Sequence, residues 1–241
     1  MMKILDFDRL SPEEFLNRDI RAEEDVSDAV DGILADVRSR GDAALRDYTR
    51  RFDGAELKDL WVAAAEFDAA REAVDPCCLE TLKEAAENIR SFHERQKHND
   101  FFLTRGSGVV MGQRWTPVER VGICVPRSPE AFPSTILMNA IPAQIAGVQD
   151  IVIVTPPRRD GTVSPEALMA AELAEVADVF KLGGAQAVAA LAFGTETVPR
   201  VDKIVGPGGV FVATAKRKVF GLVDIDMIAG PSEILVLADG E

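Results

Sequence analysis

Histidine, cysteine and long apolar runs are all scarce in this 241-residue chain. It contains only His93 and His98 and three cysteines, and it has no CxxC or HExxH spacing. Those spacings are the usual way in which a chain presents zinc ligands, so no zinc site can be read from the sequence. Two of the three cysteines, Cys77 and Cys78, are adjacent, which predicts reduced thiols rather than a disulfide framework.

Membrane and nucleic-acid partners are not expected from the composition. No apolar run approaches the ~20 residues of a membrane span, and the amino terminus has no small-residue cleavage site, so we expect a cytoplasmic protein. The net charge of −13 argues against general nucleic-acid binding, which requires a basic face. The short basic runs Arg158-Arg159 and Lys216-Arg217-Lys218 are predicted to be solvated faces rather than phosphate sites.

The acidic excess is concentrated in residues 1–100, and apolar residues there recur at helical spacing. We therefore predict that residues 1–115 form a helical segment that ends in a β-hairpin. Four helices are predicted: one that begins at Ser11, one over 24–40, one from Asp42 to Arg51 and one from Pro76 to about Lys97. The predicted hairpin pairs 101–103 with 109–111.

Strands and helices alternate in the remainder of the chain. The predicted strands are 121–125, 151–154, 179–182 and 203–205, and the predicted helices are 134–147, one from Ser164, 185–193 and 209–220. This rhythm predicts an α/β fold: a doubly wound, mainly parallel sheet that forms a Rossmann-like domain over 116–241. The chain stops directly after the apolar run Ile234–Leu237, so we expect this sheet to be incomplete and the domain truncated.

Ligands bind at the carboxyl ends of strands in such sheets, and two glycine-rich turns occupy such positions. Gly183-Gly184 precedes Gln186, which either contacts a ligand or caps its own helix. The turn Gly206-Pro207-Gly208-Gly209 allows close backbone approach to a ligand, although glycine-rich turns of this kind are common and no GxGxxG is present.

Two further candidates lie at predicted strand ends. Asp226 and Ser232 flank a Gly-Pro turn, where they serve either chemistry or structure, with Asp226 bonding backbone amides and Ser232 capping. Cys124 ends an apolar strand and is either a thiol nucleophile or a buried, inert cysteine.

Five separated segments together resemble histidinol dehydrogenase, in order and in spacing. They are Glu119 to Pro126, Pro133 to Ala143, Gly183 to Ala187, Val201 to Gly208 and Asp226 to Glu233. The resemblance implies an aldehyde dehydrogenase-like fold and a zinc-dependent, NAD-linked enzyme of histidine biosynthesis. Such an enzyme oxidises L-histidinol through L-histidinal to L-histidine, usually as an intertwined homodimer.

The resemblance also implies site residues. Gln186 matches a cofactor-binding glutamine, and Ser232 matches a serine that touches the substrate. Gly209 and Cys124 stand where the family has a cofactor-binding asparagine and tyrosine, and Arg127-Ser128 replaces a usual glycine pair. The changes at positions 209 and 124 each remove a side chain that would hydrogen-bond NAD.

The family's zinc ligands and its catalytic glutamate–histidine pair would all fall beyond Glu241. We therefore expect that these 241 residues alone do not turn over histidinol. Two alternatives stay open at this point: a related NAD-dependent dehydrogenase of another small alcohol, and a catalytically inactive paralogue that binds a partner subunit.

Overall fold

The computed structural model describes residues 26–127 and 132–228. Its helices are α1 (Ser27–Arg40), α2 (Asp42–Asp53), α3 (Ala64–Ala73), α4 (Pro76–His93), α5 (Pro133–Ala146), α6 (Pro165–Leu173), α7 (Gly184–Phe193) and α8 (Val210–Val219), with a 3-10 turn at Glu94–Gln96. Its strands are β1 (Phe101–Thr104), β2 (Val110–Gln113), β3 (Arg120–Cys124), β4 (Asp150–Val154), β5 (Asp178–Phe180), β6 (Lys203–Val205) and β7 (Asp224–Ile225).

Strands β3 to β7 form one parallel sheet in the order β5-β4-β3-β6-β7. The central strand β3 pairs with both β4 and β6, so that Gly122 lies between Val152 and Ile204. The chain therefore builds outward from β3 in one direction and then, from β6, in the other. This arrangement confirms the α/β prediction, and it places a reversal of strand order between β3 and β6.

Helices cover both faces of this sheet because the strands are apolar on both faces. Val121 and Ile123 of β3 pack into one hydrophobic cluster, to which α3, α4, α5 and α6 contribute. Cys124 packs into the opposite cluster, together with residues of α1, α2, α7 and α8. Gly122 lets α7 approach closely, since a Cβ there would lie 2.8 Å from a methyl carbon of Leu191.

The predicted helices of the first segment form with small shifts at their ends. Helix α2 continues past the expected end at Arg51 to Asp53, and Gly54 ends it in a left-handed conformation with φ +71°. The sequence reading missed α3, whose first turn is held by Glu66, which accepts a hydrogen bond from the backbone N–H of Ala63 at 3.0 Å. The helix expected at Ser11 lies outside the described residues.

The first segment also bonds to the sheet itself. The backbone N–H of Val62 donates to the carbonyl of Val179, and the N–H of Lys181 donates to the carbonyl of Leu60. Residue 181, expected within β5, thus pairs with the segment before α3. The boundary near residue 115 stays a prediction.

The predicted hairpin is confirmed as an antiparallel pair of β1 and β2, with Phe102 opposite Gly112. All eight of its strand residues are exposed. Within the described part of the chain, no helix combines the length and the apolar character that a bilayer crossing requires.

Candidate functional site

A cavity opens at the carboxyl end of the sheet, at the reversal between β3 and β6. Its volume is about 410 Å³. The described residues around it are mostly apolar residues and glycines, and they follow or end four strands: 124–127 at β3, Val154 at β4, 183–187 after β5 and 207–212 after β6. Doubly wound sheets bind their ligands in this crevice, so the cavity is the candidate site.

Two helices direct their amino termini at the cavity. Gly183 is the N-cap residue of α7 and Gly209 is the N-cap residue of α8, and neither helix has a side-chain cap. Unpaired N–H groups at a helix start carry a partial positive charge, which favours an anionic group such as a phosphate. Of the described residues that line the cavity, only Arg127 bears a charged side chain, and this charge is positive.

Gln186 lies in the first turn of α7, within the cavity wall. It is 1% exposed, and its carboxamide lies beside Gly184. Both glycines before it are favoured by the backbone: Gly184 has φ +69°, and a Cβ on Gly183 would lie 2.4 Å from a ring carbon of Pro156. The start of α7 shows no side-chain cap, which does not support the alternative that Gln186 caps its own helix. Its carboxamide offers a hydrogen-bond donor and an acceptor at the cavity wall.

Residues 207–209 of the glycine turn 206–209 also line the cavity. Gly206 has φ +104°, and a Cβ there would lie 2.3 Å from the carbonyl oxygen of Cys124, so this position requires glycine. Gly209 differs, because its φ of −70° is ordinary and no atom lies within 4 Å of a Cβ built on it. The space beside Gly209 is therefore open to a larger side chain.

Cys124 also lines the cavity, at the end of β3. It is 5% exposed, and burial raises the pKa of its thiol to about 12. Lys216 lowers that pKa and Asp226 raises it, both by less than burial does. The thiol stays protonated near neutral pH, which supports the buried, inert alternative over a nucleophile.

Arg127 connects the β3–α5 loop to the end of α2. Its guanidinium donates to the carbonyl oxygen of Phe52 at 2.6 Å and forms an ion pair with Asp53. The Asp53 side chain is 1% exposed, and burial raises its carboxyl pKa although Arg127 lowers it. Arg127 is therefore held at the cavity by a buried anion.

The basic run at the end of α8 corrects one prediction. Lys216 was expected on a solvated face, but it is 2% exposed and forms an ion pair with Asp226. Asp226 also accepts hydrogen bonds from the backbone N–H groups of Gly206 and Met227, at 2.8 Å and 2.6 Å. The structural alternative for Asp226, a carboxylate that bonds backbone amides, is confirmed.

Sequence reasoning missed the two cavity residues that come from the first segment, Ile33 of α1 and Phe52 of α2. Both belong to the segment that was assigned to a separate helical part. The only local signal was the stop at Phe52-Asp53-Gly54, which ends α2 beside the β3–α5 loop.

Ser232, which the resemblance predicts to touch the substrate, and the apolar run Ile234–Leu237 lie outside the described residues. Within residues 26–127 and 132–228, no three His, Cys, Asp or Glu side chains are grouped so that they could hold a metal ion. The placement of zinc ligands beyond Glu241 stays a prediction.

A family model described as histidinol dehydrogenase matches residues 16–241 of the chain. A histidinol dehydrogenase of Halalkalibacterium halodurans is 54% identical over 225 residues, which are 93% of this chain and 53% of that protein. One from Geobacillus kaustophilus is 54% identical over 211 residues, which are 88% of this chain and 50% of that protein. The chain thus spans about half the length of the curated relatives it matches.

A solved histidinol dehydrogenase structure also matches this chain. The crystal structure of histidinol dehydrogenase from Elizabethkingia anophelis superposes with a TM-score of 0.83 at 36% identity. The match covers 90% of this chain and 53% of that one.

Proposed function

Since this chain belongs to the histidinol dehydrogenase family, we propose that it serves the NAD-dependent oxidation of L-histidinol through L-histidinal to L-histidine. The relatives reported above all carry the name histidinol dehydrogenase, and none of these names supports another alcohol substrate or an inactive subunit. The observation that carries the proposal is the buried side chain of Gln186 in the cavity wall.

The described residues fit a dinucleotide. Two uncapped helix N-termini supply partial positive charge suited to a diphosphate, and the apolar walls suit a flat ring. Gln186 offers both a donor and an acceptor to an amide or a ribose. Gly209 and Cys124 would contact the cofactor through backbone groups and close packing, since neither side chain is a good hydrogen-bonding group.

Bound NAD would supply the hydride acceptor for each of the two oxidation steps. The residues of this chain would hold it: the two helix starts would bind the phosphates, and Gln186 would bind an amide or a ribose hydroxyl. Buried, preorganised groups of this kind reduce the entropic cost of bringing the reacting atoms together.

Substrate binding and proton transfer would depend on residues outside those that the structure describes. Ser232 would position the amino alcohol. Zinc and a general base would activate the hydroxyl group and the water that is added before the second oxidation. We expect these groups from residues beyond Glu241, in keeping with the prediction that residues 1–241 alone do not turn over histidinol.

The proposal includes a homodimer in the cytoplasm. The hairpin supports the dimer, because Phe101, Phe102, Leu103 and Val110 are exposed together on it. An apolar surface of this kind on a charged protein marks an interaction site.

Titration of the purified chain with NAD, followed by calorimetry, tests the proposed cofactor site. The variant Gln186→Met keeps the side-chain volume but removes both hydrogen-bonding groups, so we expect NAD affinity to fall about tenfold, or ~1.4 kcal/mol. The control is Gln144→Met, since Gln144 is half-buried on α5 and does not line the cavity.

Equal NAD affinity of the Gln186→Met variant and the parent chain would contradict this role. A separate assay follows NADH absorbance with L-histidinol and zinc present. Zinc-dependent NADH formation by the 241-residue chain would overturn the prediction that it is inactive alone.

A further inference from the structure

Lys216 is a buried cation outside the wall of the cavity. It lies on α8, seven residues after the N-cap Gly209, and is 2% exposed. Burial of an ammonium group is costly unless it is fully paired, so its partners decide what it does. Its Nζ donates to the carbonyl oxygen of Gly206 at 3.0 Å and to the carboxylate of Asp226. The first partner belongs to the glycine turn 206–209, and the second is hydrogen-bonded to it.

Gly206 is thereby held on both of its backbone polar groups. Its carbonyl accepts from Nζ of Lys216, and its N–H donates to Oδ2 of Asp226 at 2.8 Å. Lys216 and Asp226 are also paired with each other, so the two contacts form a closed ring of hydrogen bonds around one residue. We call Lys216, Asp226 and Gly206 the turn clamp.

The turn needs such a clamp because of its composition. Glycine has more backbone freedom than any other residue, and the turn contains three glycines. Pro207 restricts the residue before it, yet Gly206 keeps a φ of +104°, which only glycine adopts readily. Without external hydrogen bonds, the direction of the Gly206 carbonyl would not be fixed by local sequence.

Stability alone is a poor account of this ion pair. The Lys216 side chain is 3% exposed and that of Asp226 is 26% exposed. The cost of desolvating the buried ammonium offsets much of its attraction to Asp226, so an apolar residue at position 216 would hold α8 against the sheet about as well. What charged groups add is direction, since they fix particular backbone groups. Here those groups belong to the turn that forms one cavity wall and precedes the start of α8.

We propose that Lys216 and Asp226 are positioning residues, which act through Gly206 to hold the turn 206–209 in the shape that receives the cofactor. This inference rests on the proposed function, since it assumes that the cavity binds a dinucleotide. Neither side chain lines the cavity, and their effect on binding is therefore indirect.

NAD titration of Lys216→Met, observed by amide NMR and by calorimetry, tests the turn clamp. We expect NAD affinity to fall at least tenfold. We also expect the NAD-induced shifts of the Gly208 and Gly209 amides to be lost while those near Gln186 persist. A loss of overall stability would not produce this local pattern.

Two control variants lie on the same helix. Lys218→Met removes a positive charge whose partner is Asp31, and Val219→Ala removes buried apolar volume and lowers stability without touching Gly206. Both should keep NAD affinity within twofold of the parent chain at a temperature where all variants are folded.

The possible outcomes separate the inference from the proposed function. If the parent chain shows no NAD-induced shifts anywhere, the proposed cofactor site fails, and the positioning role fails with it. If the parent chain binds NAD and Lys216→Met binds equally well, only the turn clamp is overturned. A loss of affinity in Val219→Ala equal to that in Lys216→Met would also overturn it, because stability would then explain both.

Discussion

The sequence reveals the burial and the partners of some side chains at the cavity better than those of others. Gln186 could be singled out because it follows two glycines at a strand end, but its burial depends on the packing of the whole wall. Lys216 was placed wrongly on a solvated face. Its neighbours in sequence are basic, whereas its true partners, Gly206 and Asp226, are each ten residues away on other elements.

Cys124 gives a prediction at the scale of one residue. Because burial raises its thiol pKa to about 12, iodoacetamide at pH 8 should leave Cys124 unmodified while the exposed Cys77 reacts. Peptide mass spectrometry of the folded chain measures both sites, and the urea-unfolded chain, in which both thiols should react, is the control. Equal rates at Cys77 and Cys124 in the folded chain would contradict the assigned burial.

At the scale of elements, the strands and helices of the α/β part follow their sequence signals closely. Alternating apolar runs and proline or glycine stops predicted β3, β4 and α5 with ends near those observed. Helix α3 and strand β7 were missed. Strand β7 is two residues long, and it is a strand only because Lys203 and Ile204 of β6 lie beside it. A strand this short has no period of its own to detect.

The start of α8 gives a prediction about an element. Gly209→Asn places a good N-cap residue where φ is ordinary and the space is open. We therefore expect the free energy of unfolding to rise by about 0.3 kcal/mol. We also expect tighter NAD binding, because the new carboxamide stands at the cavity wall. Thermal melts and NAD titration measure the two effects.

Gly208→Asn is the matched control for that variant. A Cβ on Gly208 would lie 2.4 Å from the side chain of Val212, so this change should destabilise the chain. A loss of stability in Gly209→Asn as large as that in Gly208→Asn would contradict the open space beside Gly209.

At the scale of the whole molecule, the exposed hairpin predicts self-association. The double variant Phe102→Ser/Val110→Ser should shift the chain from dimer to monomer in sedimentation velocity, with an unchanged melting temperature for the monomer, because neither residue belongs to the core. The control is Phe220→Ser, since Phe220 is equally exposed but lies after α8. A parent chain that sediments as a monomer would count against the proposed homodimer.

The α/β class, the glycine turns and the likeness to histidinol dehydrogenase are all determined by the sequence itself. They depend on apolar periodicity, on residues with restricted or unusual backbone freedom and on short motifs, which are local properties. Tertiary structure decided the rest: that Ile33 and Phe52 of α1 and α2 reach the cavity, and that Lys216 is buried on Gly206. The physical reason is that the burial and pairing of a side chain depend on partners that only the folded chain brings within hydrogen-bonding distance.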